Sequence, residues 1–191
     1  MMNRLTQTLR RAGALLRAPI FLVWLGIALI SAPAASRANK DLAAICEQAA
    51  AEAAVRSGVP ISVLKAISLT ETGRDSGGIL RPWPWTVNME GEGLWFDSRE
   101  DAQAYVDEHL ARGAESFDLG CFQINYKWHR DAFSSVEQMF DPIANALYAA
   151  NFLNELFAEK GDWTAAAGAY HSRTPEPAER YMQRFTEWRS Q

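Results

Sequence analysis

A glutamate closes a short apolar run in the stretch Val59-Pro60-Ile61-Ser62-Val63-Leu64-Lys65-Ala66-Ile67-Ser68-Leu69-Thr70-Glu71-Thr72-Gly73-Arg74. Pro60 suits the first turn of a helix and Gly73 the position just past its end, so the spacing predicts a helix over Ile61–Thr72. Leu64, Ile67 and Glu71 then stand at i, i+3 and i+7, which sets a carboxyl group at the end of the inward face. Apolar neighbours strip its hydration, and the partial negative charge of a helix C-terminus opposes its ionisation, so both effects raise its pKa. A carboxyl group still protonated near neutral pH can act as a general acid. The same spacing admits a solvated carboxylate at a frayed helix end, the commoner fate of Glu.

Two more stretches carry usable groups. In Ser116-Phe117-Asp118-Leu119-Gly120-Cys121-Phe122-Gln123-Ile124-Asn125-Tyr126, an extended backbone places Leu119, Cys121, Gln123 and Asn125 on one side, so two amides point the same way. Judged alone, Gln123 can simply brace its own loop. Ala169-Tyr170-His171-Ser172 ends a short helix, where Tyr170, judged alone, reads as a core residue. His109, His129 and His171 lack metal-ligand spacing, and no metal or cofactor is expected. Neither a phosphate-cradling glycine loop nor a Ser/His/Asp order is present.

These groups need elements to hold them. Lys40 to Ser57 is Ala-rich, with Leu42, Ile45, Cys46, Ala49 and Ala53 on one stripe, and reads as an amphipathic helix ended by Gly58. Trp83-Pro84-Trp85-Thr86-Val87-Asn88 and Leu94-Trp95-Phe96 flank Met89-Glu90-Gly91-Glu92-Gly93, which predicts a short β-hairpin or folded loop. Trp83, Trp85 and Trp95 form either a stacking platform for sugar rings or a hydrophobic cluster over the core. Ser98-Arg99-Glu100-Asp101 looks like a capping box for a helix to Arg112. Asp141-Pro142 starts the longest helix, to Lys160, with Ile143, Leu147, Ala150, Leu153 and Phe157 as its apolar stripe. A short helix follows Asp162, and a last one from Ala178 to Arg189 turns Tyr181, Phe185 and Trp188 inward after the turn Thr174-Pro175-Glu176-Pro177. The fold class is mainly α, a single domain with a small β element.

Composition narrows the setting. The chain has 191 residues, 48% hydrophobic and 22% charged, enough for one compact domain. Residues 1–38 hold Arg4, Arg10, Arg11, Arg17 and Arg37 but no acid, then an apolar run from Ile20 to Ile30 and a small-residue patch, the order of an export signal. Arg17 keeps the apolar run short of the ~20 residues a span requires, so a cleaved signal is expected, with residues 39–191 as the periplasmic domain. Losing five of 19 basic residues leaves 14 against 23 acidic ones, a charge of −9, which suits no nucleic-acid partner. In an exported protein Cys46 and Cys121 read as a disulfide, two buried free thiols being the other reading.

Taken together, Glu71-Thr72-Gly73, Gly120-Cys121-Phe122-Gln123-Ile124-Asn125 and Ala169-Tyr170-His171 resemble, in order and separation, the motifs of the soluble lytic transglycosylase family, which has the goose-type lysozyme fold. The resemblance covers roughly Asp41 to Trp188. It implies a peptidoglycan lytic transglycosylase that cleaves the β-1,4 bond between N-acetylmuramic acid and N-acetylglucosamine and closes a 1,6-anhydro ring. It implies Glu71 as acid and then base, Gln123, Asn125, Thr72 and His171 as substrate contacts, and Tyr170 reaching toward Glu71. Thr72 stands where the family has Ser, Cys121-Phe122 where it has an aliphatic pair, and His171 where it has Asn. The Trp-Pro-Trp stretch looks like exported members of envelope-spanning flagellar, secretion or conjugation machines, and a monomer is expected. The other readings are a muramidase on the same fold, for which Asp75, Glu90, Glu92 and Asp118 are the nearby second carboxylates, and a cell-wall-binding assembly protein without activity.

Overall fold

The computed structural model describes residues 34–190, with side chains described from Leu42 onward. Most of the stretch read as an export signal, residues 1–33, lies outside the described residues. Among the described residues no helix is long and apolar enough to cross a membrane.

The architecture is mainly helical. Helix α1 (Ala34–Ser57) begins six residues before the expected Lys40 and packs on α2 (Ile61–Thr72) and on α6 (Pro142–Lys160). Helix α2 ends where expected, but Gly73 is required there by proximity and not by a left-handed turn. Its φ is −53°, and a Cβ at this position would stand 2.6 Å from the Leu69 carbonyl oxygen and 2.6 Å from Leu80 Cδ2. Ser98 caps α3 (Arg99–Ala111) by accepting from the Asp101 N–H at 3.1 Å, as the capping box predicts. Asp141 caps α6 in the same way, through the Ala144 N–H at 2.8 Å. The inner face of α6 is rotated from the expected stripe. Ala146, Ala149, Ala150, Leu153 and Leu156 are buried, while Ile143, Leu147 and Phe157 are half-buried, because the small alanines let α1 approach closely.

Helix α7 (Trp163–His171) packs on α6 and on α8 (Pro175–Arg189). Gly168 allows that contact, since a Cβ there would meet Met182 Cγ at 2.8 Å. The last helix starts at Pro175, earlier than the expected Ala178, because proline is tolerated in a first turn whose N–H groups have no helical partner.

The β element is larger than a single hairpin. Strands β1 (Arg74–Asp75) and β2 (Leu80–Arg81) pair with each other. Strands β3 (Thr86–Met89), β4 (Glu92–Trp95), β5 (Phe117–Leu119) and β6 (Ile124–Asn125) form an antiparallel sheet in the order β4-β3-β5-β6. The β3–β4 turn has positive φ at both Glu90 (53°) and Gly91 (100°), the tight geometry that matches strand twist. Register places Asn88 opposite Asp118 and Asp118 opposite Asn125, so three polar side chains form one cross-strand row, beside the apolar row of Val87, Leu119 and Ile124.

Residues 120–123 are not extended. They form the turn between β5 and β6, with φ of 77° at Gly120 and 46° at Gln123. The parity argument for this segment therefore fails. Within the turn Cys121 is buried and bonded to Cys46 of α1, with the two Cα atoms 5.5 Å apart, so the bridge ties the turn to the first helix. A loop of this span gives at most about 4.5 kcal/mol in the chain-entropy model.

Candidate active site

Glu71, at the end of α2, lines a cavity of about 370 Å³. The floor is the sheet row of Asn88, Asp118 and Asn125, with Gln123 from the β5–β6 turn. Trp128 and His129 enter from α4 (Tyr126–His129), Phe152 from α6, and Tyr170 and His171 from α7. Residues from four helices and the sheet thus line one cavity, with carboxyl groups at Glu71 and Asp118.

The turn that carries Gln123 is held from beneath. Asn145 of α6 is fully buried; its Oδ1 accepts from the Phe122 N–H at 2.9 Å, and its Nδ2 donates to the Leu119 and Met139 carbonyls at 3.0 Å each. Gly120 lies against this amide, where a Cβ would come within 3.0 Å of Asn145. The Gln123 Nε2 donates to the Thr86 and Gly120 carbonyls at 3.1 and 3.0 Å. Two carbonyl acceptors fix which end is the NH₂, leaving Gln123 Oε1 for the cavity. Both readings of Gln123 describe one side chain: half of it braces the loop and half faces the cavity.

Glu71 is partly buried, and burial pushes its pKa from 4.5 up to about 8. A hydrogen bond from the Tyr181 hydroxyl to Glu71 Oε1, 2.8 Å, opposes that rise; the Asp118 carboxylate reinforces it and Arg184 opposes it. Burial is the largest of these effects, so the group is mostly protonated at neutral pH and becomes an anion without leaving hydrogen-bonding distance of Tyr181. Asp118 is also raised by burial, against the 2.7 Å bond that its Oδ1 accepts from Asn125 Nδ2. His129 and His171 are both lowered by burial, His171 further by Arg184 and Arg180.

Several expected site residues take other positions. Tyr170 lines the cavity, but its hydroxyl donates to the Phe122 carbonyl at 2.7 Å; the tyrosine that touches Glu71 is Tyr181 of α8. The sequence signal for Tyr181 was a hydroxyl among the inward residues Phe185 and Trp188. His171 is exposed at the rim, its ring stacked on Tyr181 with centroids 4.6 Å apart and planes within 10°. Thr72 does not reach the cavity. It is fully buried, and its Oγ1 donates to the Ser68 carbonyl at 2.8 Å and accepts from the Trp83 N–H at 3.1 Å.

The tryptophan cluster does not line this cavity, and of its three members only Trp95, 42% exposed, is open to solvent. Trp83 and Trp85 are buried, Trp83 Nε1 donates to the Phe96 carbonyl at 2.6 Å, and Trp95 Nε1 donates to the Thr72 carbonyl at 3.1 Å. The cluster pins the β3–β4 hairpin to the end of α2, next to Glu71. The exposed aromatic on the cavity is Trp128, 74% exposed, on a helix capped by Asn125, whose Oδ1 accepts from the Trp128 N–H.

Residues 96–183 match the family model described as the transglycosylase SLT domain. This stretch is similar to a transglycosylase SLT domain. Such a domain is lysozyme-like, which agrees with eight helices beside a small antiparallel sheet among the described residues, and the match is consistent with the soluble lytic transglycosylase family. The matched span of the SLT domain includes Gln123, Asn125, Tyr170, His171 and Tyr181, while Glu71 precedes it. Neither a search of curated proteins nor one of solved structures returns a significant match. An SLT domain implies action on peptidoglycan and hence outside the cytoplasm.

Proposed function

We propose that this protein is a periplasmic peptidoglycan lytic transglycosylase in which Glu71 serves first as acid and then as base. The observation that carries the reading is the Glu71 carboxyl group, raised to about 8, which lines a cavity with Gln123, Asn125 and the exposed Trp128. Protonated Glu71 gives its proton to the oxygen bridging N-acetylmuramic acid and N-acetylglucosamine. The substrate's own acetamido group stabilises the developing cation, as the family resemblance implies. The Glu71 carboxylate, held by the Tyr181 hydroxyl, then takes the proton of the 6-hydroxyl as the anhydro ring closes. Gln123 Oε1 and the Asn88–Asp118–Asn125 row offer acceptors and donors to the sugar, and Trp128 a flat face beneath it. The domain doing this is residues 39–191, released from its export signal.

Asp118 favours the muramidase as a second reading, because it brings another carboxyl group to the same cavity. With water as the nucleophile, Asp118 would activate it, and the product would carry one water more. Mass spectrometry of the soluble products from purified sacculi separates the two: anhydro-muropeptides support the lytic reaction, and hydrated ones replace it with hydrolysis. Glu71→Gln should abolish release under either chemistry; release at the wild-type rate would exclude Glu71 as the acid.

A further inference from the structure

The last turns of helix α2 carry three hydroxyls at alternate positions, Ser68, Thr70 and Thr72, and one of them differs from the other two. Thr70 and Thr72 donate back to the carbonyls of Ala66 and Ser68, at 2.7 and 2.8 Å. Ser68 Oγ is buried and has no partner among the described residues. An unpaired buried hydroxyl costs about 1–3 kcal/mol, and a back-bond like those of its neighbours would remove that cost. Ser68 instead lines a second cavity, of about 230 Å³, which shares no residue with the one around Glu71.

The walls of this cavity are apolar: Ala50 of α1, Leu69 of α2, Leu80 and Pro82 at β2, and Trp188 near the end of α8. Ile79, 56% exposed, extends the apolar surface outward. Two cations, Lys65 and Arg81, and one acid, Glu47, complete the lining, and none of the three is in an ion pair among the described residues. Small-molecule and cofactor sites run to about 300–1,000 Å³, so this cavity suits one large side chain and not a cofactor. Its walls select an apolar side chain, its excess of cation over acid selects a neighbouring carboxylate, and Ser68 supplies a donor for a backbone carbonyl. A second copy of residues 39–191, each copy carrying a charge of −9, is opposed by repulsion.

We propose that the cavity between α1, α2, β2 and α8 is a docking site for a partner polypeptide. The partner inserts one large apolar residue, whose carbonyl accepts from Ser68 Oγ, and sets an adjacent carboxylate between Lys65 and Arg81. The site is independent of the chemistry at Glu71, and its test does not use activity.

The probe is the peptide acetyl-Gly-Phe-Asp-Gly-amide, titrated into the ¹⁵N-labelled protein alongside the same peptide with Asn for Asp. Saturable amide shifts are expected at Lys65, Ser68, Leu69, Leu80 and Trp188, with binding in the millimolar range and about fivefold weaker for the Asn peptide. A Lys65→Ala, Arg81→Ala double variant should bind both peptides equally. Ser68→Ala should weaken binding without lowering Tm, since it removes a hydroxyl that has no partner in the free protein. Shifts that scatter over the surface, fail to saturate or ignore the carboxylate would overturn the proposal. So would sedimentation showing that the same residues mediate self-association.

Discussion

The Tyr181 hydroxyl donates a 2.8 Å hydrogen bond to Glu71 Oε1 across 110 residues of sequence, joining the end of α2 to the inner face of α8. The bond favours the carboxylate, whereas burial favours the acid, and burial is the larger effect. This opposition suits a group that must be an acid in one step and an anion in the next.

Tyr181→Phe should therefore move the titration of Glu71 above its present value of about 8. A hydrogen bond to a charged group is worth about 1.5–3 kcal/mol, which corresponds to a shift of about one to two pH units. The alkaline limb of the kcat/KM profile on sacculi should move up by that amount, and kcat should fall about tenfold because the anionic state is harder to reach. A loss of rate with an unmoved limb would reduce Tyr181 to a packing residue.

Glu71→Gln should stabilise the protein in one pH window. Between 4.5 and about 8 the folded protein holds a proton that the unfolded chain has released, so native stability falls as pH rises through that interval. Gln resembles the protonated acid and still accepts from Tyr181, so it escapes that loss. Urea unfolding should show no difference between wild type and variant at pH 4.5 and a gain on the order of 3 kcal/mol for the variant at pH 7. Equal differences at the two values would mean that Glu71 titrates normally.

Asn145→Leu should cost at least about 3 kcal/mol, because the Phe122 N–H and the Leu119 and Met139 carbonyls would remain buried without partners. It should also displace Gln123 and raise KM more than it lowers kcat. Chemical denaturation together with steady-state kinetics checks both halves, and a variant of wild-type stability would show that the turn holds itself.

Local signals made much of this legible in the sequence. Caps and breakers at Pro60, Ser98, Asp141 and Asp162 bounded their helices closely, because those signals act within a turn of the chain. Spacing offered Glu71 an inward face but also admitted a solvated helix end, and only the packing of the helices decides between them. The pairing of Glu71 with Tyr181 could not be read from spacing, since it depends on how α2 and α8 pack. The row Asn88–Asp118–Asn125 was hidden for the same reason: strand register, and not sequence distance, aligns it. The segment at Gln123 was misread as extended because one of its two positive φ angles falls on a non-glycine residue and Gly120 alone does not show where the chain reverses. The tryptophans left two readings open because Trp serves core and surface alike, and only tertiary contact shows that Trp83 and Trp85 face inward while Trp128 does not.

Trp128 should be the aromatic that sugar rings meet. Its side chain stands 74% exposed beside the cavity, with Lys127 Nζ 5.2 Å from its ring centroid, and the short helix beneath it is fixed by the Asn125 cap. An exposed indole contributes little to folding, so Trp128→Ala should change stability by less than about 0.5 kcal/mol. Losing a stacking face worth about 1 kcal/mol should raise KM on glycan strands about fivefold with kcat nearly unchanged. The quenching of Trp128 fluorescence by a soluble N-acetylglucosamine oligomer, followed in the Glu71→Gln background, reads the same contact without turnover. Unaltered KM together with an unquenched indole would move the sugar to another wall of the cavity and leave the proton donor where it is.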